Sequence, residues 1–118
     1  MIDSEKALVR LLKRILKKYL EFRVEQISKI INFEYKSISV SSAKTNWGSC
    51  GFKNTLNFTY KLAMCPKFVV DYIIVHELVH TRIKNHSQKF WEMVKSFYPN
   101  YKTCEKWLKD NRAIVNKI

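Results

Sequence analysis

Between Pro66 and His80 the chain is apolar on almost every side, yet it carries two histidines and a glutamate. Phe68, Val69, Val70, Tyr72, Ile73, Ile74, Val75, Leu78 and Val79 leave no polar face for an amphipathic helix. A helix of this kind is buried on most sides, so the rest of the domain must wrap around it. Pro66 opens it without penalty, because the first N–H groups of a helix have no intrahelical partner. His76, Glu77 and His80 are then costly to bury unless something satisfies them. Two histidines four apart project from one helix face, offset by roughly 40°, and their imidazoles can close on a single ion. Glu77 stands one step round, where its carboxylate reaches a water on that ion without displacing it. This is the H-E-x-x-H arrangement: two ligands and a general base from one helical turn.

The third and last histidine, His86, falls in the same eleven-residue window. It stands before Ser87, a good N-cap for a helix whose apolar face is Phe90, Trp91, Val94 and Phe97. A ligand held just ahead of a packed helix has a reproducible position. His76, His80 and His86 are therefore the expected metal ligands, with Glu77 as the catalytic base. Glu92 and Glu105 compete for the third place, because some H-E-x-x-H enzymes use a downstream glutamate. Three neutral imidazoles leave zinc a fourth position for water and acidify that water to a pKa of about 7. One Zn2+ per chain is the expected cofactor, although three-histidine sites also take cobalt, nickel or copper. The expected chemistry is hydrolysis of a peptide bond in a protein or peptide substrate. Tyr98 and Tyr101 are the candidate donors to the oxyanion. A non-enzymatic, zinc-stabilised module is the rival reading, and Glu77 argues against it, since a structural site has no use for a base.

The remaining elements follow from periodicity. From Ser4 to about Ile31 the apolar residues Leu8, Leu11, Leu12, Ile15, Tyr19, Phe22, Ile27 and Ile30 recur at mostly helical intervals, as one helix or two. Asn32 is a helix stop. Tyr35 to Ser42 and Thr55 to Leu62 alternate as strands, and the segment between them holds both glycines around an extended piece at Trp47 to Cys50. That piece has an edge to which a peptide could add as a strand. The central helix is expected to run to Ile83–Asn85, and a last basic helix from Thr103 to about Asn116.

A length of 118 residues makes one domain. Three cysteines without C-x-x-C spacing exclude a disulfide framework and a second zinc site, and suit a reducing compartment. The acidic start is no signal peptide, and no stretch reaches the ~20 apolar residues of a membrane span, so a soluble cytoplasmic protein is expected. The net charge of +12 and pI near 9.8 raise the question of an anionic partner. Lys6, Arg10, Lys13, Arg14, Lys17 and Lys18 on the first helix are its candidate contacts with nucleic acid. No aromatics interleave them for base stacking, which favours a solvated helix back.

Several separate pieces of the chain, in order, carry a resemblance. They are Lys44-Thr45-Asn46-Trp47-Gly48-Ser49-Cys50, Leu56-Asn57, Pro66, Tyr72 with Val75-His76-Glu77-Leu78-Val79-His80, and Asn85-His86-Ser87 with Phe90-Trp91. Together they resemble the YgjP-like metallopeptidase family, relatives of the SprT-like zinc proteins, over roughly residues 20 to 110. The resemblance implies an α+β fold: a small antiparallel sheet packed against the zinc-binding H-E-x-x-H helix, with N- and C-terminal helices flanking it. It implies the same ligands, His76, His80 and His86, and the same base, Glu77. Family members usually have an arginine before Trp-Gly-Ser-Cys, where this chain has Asn46. They are often longer, with extra N-terminal strands, so this chain corresponds to little more than a minimal zincin-like catalytic domain. Some SprT-like proteins are tethered to nucleic acid, and the resemblance would make the basic first helix such a tether.

Overall fold

The computed structural model describes residues 3–42 and 46–115. Lys44 and Thr45, at the head of the Trp-Gly-Ser-Cys motif, and the expected helix end at Asn116 lie outside the described residues. The order of elements is α1 (Asp3–Ile31), β1 (Ser37–Ser41), β2 (Gly48–Cys50), β3 (Thr55–Thr59), a 3₁₀ turn (Tyr60–Met64), α2 (Lys67–Val79), α3 (Gln88–Phe97), α4 (Tyr101–Asp110) and α5 (Arg112–Val115). The fold is α+β, with a three-stranded sheet and the helices gathered around α2.

α1 is a single helix of 29 residues. It ends where Asn32 turns left-handed, at φ 60°, and Phe33 N–H donates back to Ser28 O at 3.0 Å. That six-to-one bond caps the last carbonyls in the Schellman manner. Its buried stripe is Val9, Leu16, Leu20, Val24 and Ile27, so Leu8, Leu11, Ile15, Phe22 and Ile30, expected on the core face, are exposed instead. The helix carries two apolar stripes, and the sheet and α2 cover only one. Asp71 of α2 fastens the pair, accepting from Arg23 Nε at 3.0 Å and Nη2 at 2.9 Å and from the Tyr19 hydroxyl at 3.1 Å. A two-pronged, half-buried pair of this sort fixes orientation better than a surface ion pair.

The sheet order is β1-β3-β2, and the sheet is mixed rather than wholly antiparallel. β2 and β3 form an antiparallel pair, Gly48 opposite Phe58. β1 pairs parallel with β3, Val40 beside Phe58. The physical reason is topological: the chain reverses twice between β1 and β3, and β3 then enters between its two predecessors. β3 is shorter than its alternation suggests. Thr59 caps a 3₁₀ turn by accepting from Lys61 N–H, which lifts Tyr60–Met64 out of the ladder.

α2 is buried along nearly its whole length, and α1, β2, α3 and α4 pack on it. It stops at Val79, earlier than Ile83–Asn85. Thr81 N–H bonds Leu78 O and Arg82 N–H bonds Val79 O, both at 3.0 Å, and these i→i−3 bonds tighten the turn and lead the chain away. The last predicted helix breaks at Asn111, whose side-chain amide donates to Trp107 O at 2.9 Å and competes with continued helix. No helix among the described residues is long and apolar enough to cross a membrane.

Candidate metal centre

His76 lies in the last turn of α2, His80 is its C-cap with helical dihedrals, and His86 lies just ahead of α3. Ser87 caps α3 as expected, accepting from Phe90 N–H at 3.4 Å. The turn after α2 therefore returns the chain so that three ring nitrogens converge. His86 Nε2 is 3.1 Å from His80 Nε2 and 3.4 Å from His76 Nε2. Nitrogens at two corners of a tetrahedron around an ion about 2.05 Å from each stand about 3.3 Å apart. The histidines thus fit an ion of zinc's size. Glu92 accepts instead from Gln88 Nε2, and neither it nor Glu105 belongs to the cluster.

The histidines are held by more than spacing. His80 Nδ1 is 2.8 Å from Ile83 O. A carbonyl only accepts, so Nδ1 carries the proton and Nε2 presents a lone pair to the cluster. The same contact holds the turn that follows α2. On His76 the Nδ1 atom is 3.4 Å from the Tyr72 hydroxyl. Phe90 stacks on the His80 ring at 4.3 Å and meets the His76 ring edge-on at 4.9 Å. Trp91 stacks on His86 at 5.9 Å and is itself stacked on Tyr101 at 5.4 Å. Sequence periodicity makes Phe90 and Trp91 core residues; their second role, as walls that fix the imidazole planes, comes from their place directly after the third ligand.

Burial governs the electrostatics. It pushes His76 down to about 3, helped by the neighbouring His80 and His86. His80 is also lowered, first by burial, with its bond to Ile83 opposing the change. Neutral imidazoles are the form that donates a lone pair to a metal. Glu77 is only 4% exposed, and burial pushes it up to about 8. Its Oε1 has no hydrogen-bond partner among the described residues. A buried carboxyl oxygen left free beside three converging imidazoles has the character of a working group, because an idle one is strongly disfavoured.

Gly48 of β2 is a further site residue that periodicity does not reveal. A β-carbon there would stand 3.1 Å from Asn57 O, 3.2 Å from Glu77 Oε2 and 3.3 Å from Glu77 Cγ. The strand backbone therefore lies directly over the carboxylate and confines it. Gly48→Ala is expected to shift Glu77 by a few tenths of an ångström and lower kcat at least about tenfold while the metal content stays unchanged. Steady-state kinetics together with metal analysis checks both halves.

The expected oxyanion donors fare differently. The Tyr98 hydroxyl is committed to Phe68 O at 2.6 Å, so it does not serve the site. Tyr101 is half-buried in the aromatic stack, beside Tyr72 and Trp91. Trp47, half-buried against the core, lines a cavity of about 290 Å³ that opens beside His76 and Glu77.

A family model described as YgjP-like, metallopeptidase domain matches residues 2–111. Two solved structures share the fold. One is the metallopeptidase zymogen abylysin of Pyrococcus abyssi, with 20% identity, a TM-score of 0.68, and coverage of 77% of this chain and 93% of that one. The other is the metallopeptidase zymogen jannalysin of Methanocaldococcus jannaschii, with 26% identity, a TM-score of 0.65, and coverage of 80% and 96%. No curated protein matches the chain.

Proposed function

The chain belongs to the YgjP-like metallopeptidase family, and from that premise we propose that it is a zinc peptidase with His76, His80 and His86 as ligands and Glu77 as general base. A bound zinc ion would supply Lewis acidity, lowering the pKa of water towards 7 and polarising the scissile carbonyl. Glu77 takes a proton from the attacking water and returns it to the leaving amine. Its free Oε1 is the observation that carries the reading. The desolvation that raises its pKa makes it a stronger base than a solvated carboxylate. Gly48 above and the helix below leave that carboxylate little freedom, so its orientation is set before substrate arrives. β2 is an edge strand of the sheet, and an extended substrate would pair with it beside Glu77. The test is cleavage of an unfolded protein: activity in the native protein, its loss on chelation and its return with zinc. Persistence of cleavage after complete metal removal would refute the reading.

A second reading concerns a nucleic-acid tether. Lys6, Arg10, Arg14, Lys17 and Lys18 are exposed on α1, and none takes part in an ion pair among the described residues. Binding to duplex DNA is expected to weaken steeply between 50 and 200 mM salt, and to survive loss of a metal ligand. Titration by fluorescence anisotropy reads both, and salt-independent or absent binding rejects the tether.

A further inference from the structure

The cavity beside the metal centre has walls of different character. Its lining includes His76 and Glu77 from α2 and Glu105, Lys109 and Arg112 from α4 and α5. Glu105 is exposed and, with Glu77, is one of two carboxylates on that lining. Lys109 and Arg112 are exposed, and neither makes an ion pair among the described residues. The acid nearest in sequence, Asp110, is taken by Lys106 at 2.6 Å. The cavity thus carries two cations that no ion pair holds among the described residues, on the same lining as the general base.

We propose that Lys109 and Arg112 form a subsite for a carboxylate of the substrate, so that the enzyme selects peptides with an acidic group close to the scissile bond. This rests on the peptidase reading. A guanidinium offers two parallel donors that match a carboxylate, and a neighbouring ammonium adds a point charge that need not be aligned. The rest of the cavity suits a peptide chain: Trp47, Ile73 and Leu108 supply apolar wall beside the charged rim. The carboxylate is either an Asp or Glu side chain or the peptide's own C-terminus, and the two sources are separable.

The experiment measures binding, so it does not depend on turnover. Fluorescent octapeptides carrying Glu or Gln at successive positions, each as free acid and as C-terminal amide, are titrated against zinc-loaded Glu77→Gln. Glu peptides, or free acids, are expected to bind about tenfold more tightly than their neutral counterparts. With Lys109→Gln and Arg112→Gln added, that ratio is expected to fall to near one. Lys109→Arg with Arg112→Lys is expected to keep it, which separates lost charge from lost folding. Preference that follows the internal Glu identifies a side chain, and preference that follows the free acid identifies the C-terminus. Lys17→Gln with Lys18→Gln removes the same net charge outside the cavity and is expected to leave the ratio intact. No preference for acidic peptides, an unchanged ratio in the Gln pair, or an equal loss in the α1 pair would each overturn the subsite. Failure of the native protein to cleave any of these peptides would instead count against the peptidase reading, since the binding ratios stand apart from it.

Discussion

Glu77→Gln is expected to keep its full zinc content and to lose roughly 10²- to 10⁴-fold in kcat, the usual contribution of a positioned acid or base. The amide is nearly isosteric with the carboxyl, so contacts with Gly48 persist and the imidazole cluster is untouched. What disappears is the capacity to accept a proton. Metal analysis and steady-state kinetics on the same preparation read both outcomes. A variant with native kcat would remove Glu77 from the mechanism, and one that loses zinc would make it part of the ligand set.

His80→Ala is expected to abolish specific metal binding and, with it, both catalysis and the stability that metal confers. His80 is 7% exposed, sits central to the cluster and also holds Ile83 O. Its loss leaves two imidazoles and removes the partner of the Ile83 carbonyl in the turn after α2. In the native protein, free zinc at about a thousand times Kd adds about 4 kcal/mol to folding stability. Denaturant unfolding with and without zinc is expected to show that gap in the native protein and none in the variant. An equal gap in both would mean that the metal sits elsewhere. The result also bears on the rival structural-zinc reading, because a zinc that only stabilises would tie activity to folding, whereas Glu77→Gln separates them.

The clustering of the three imidazoles is legible in the sequence because its geometry is local. His76 and His80 share a helix face through helical period alone, and Ser87 announces where His86 is held. The helices are legible for a related reason, since Asn32, Pro66 and Ser87 mark boundaries through short-range backbone chemistry. What depends on distant pairing is not legible. Gly48 reads only as part of a short extended piece until the β2–β3 register sets it over Glu77. Lys109 reads as solvated helix surface until α4 is folded back beside the cavity. Leu8, Leu11 and Ile15 have the period of a buried stripe, and only the position of α2 and the sheet selects Val9, Leu16 and Leu20 in their place. The parallel pairing of β1 with β3 likewise follows from where β3 inserts, which no alternation pattern encodes.

The most direct measurement is the metal content of protein purified without chelator, with anomalous diffraction at the zinc edge to locate the ion. One zinc per chain is expected, within about 2.0–2.1 Å of the Nε2 atoms of His76, His80 and His86. Metal-free protein, or an ion bound away from these three imidazoles, would contradict that expectation.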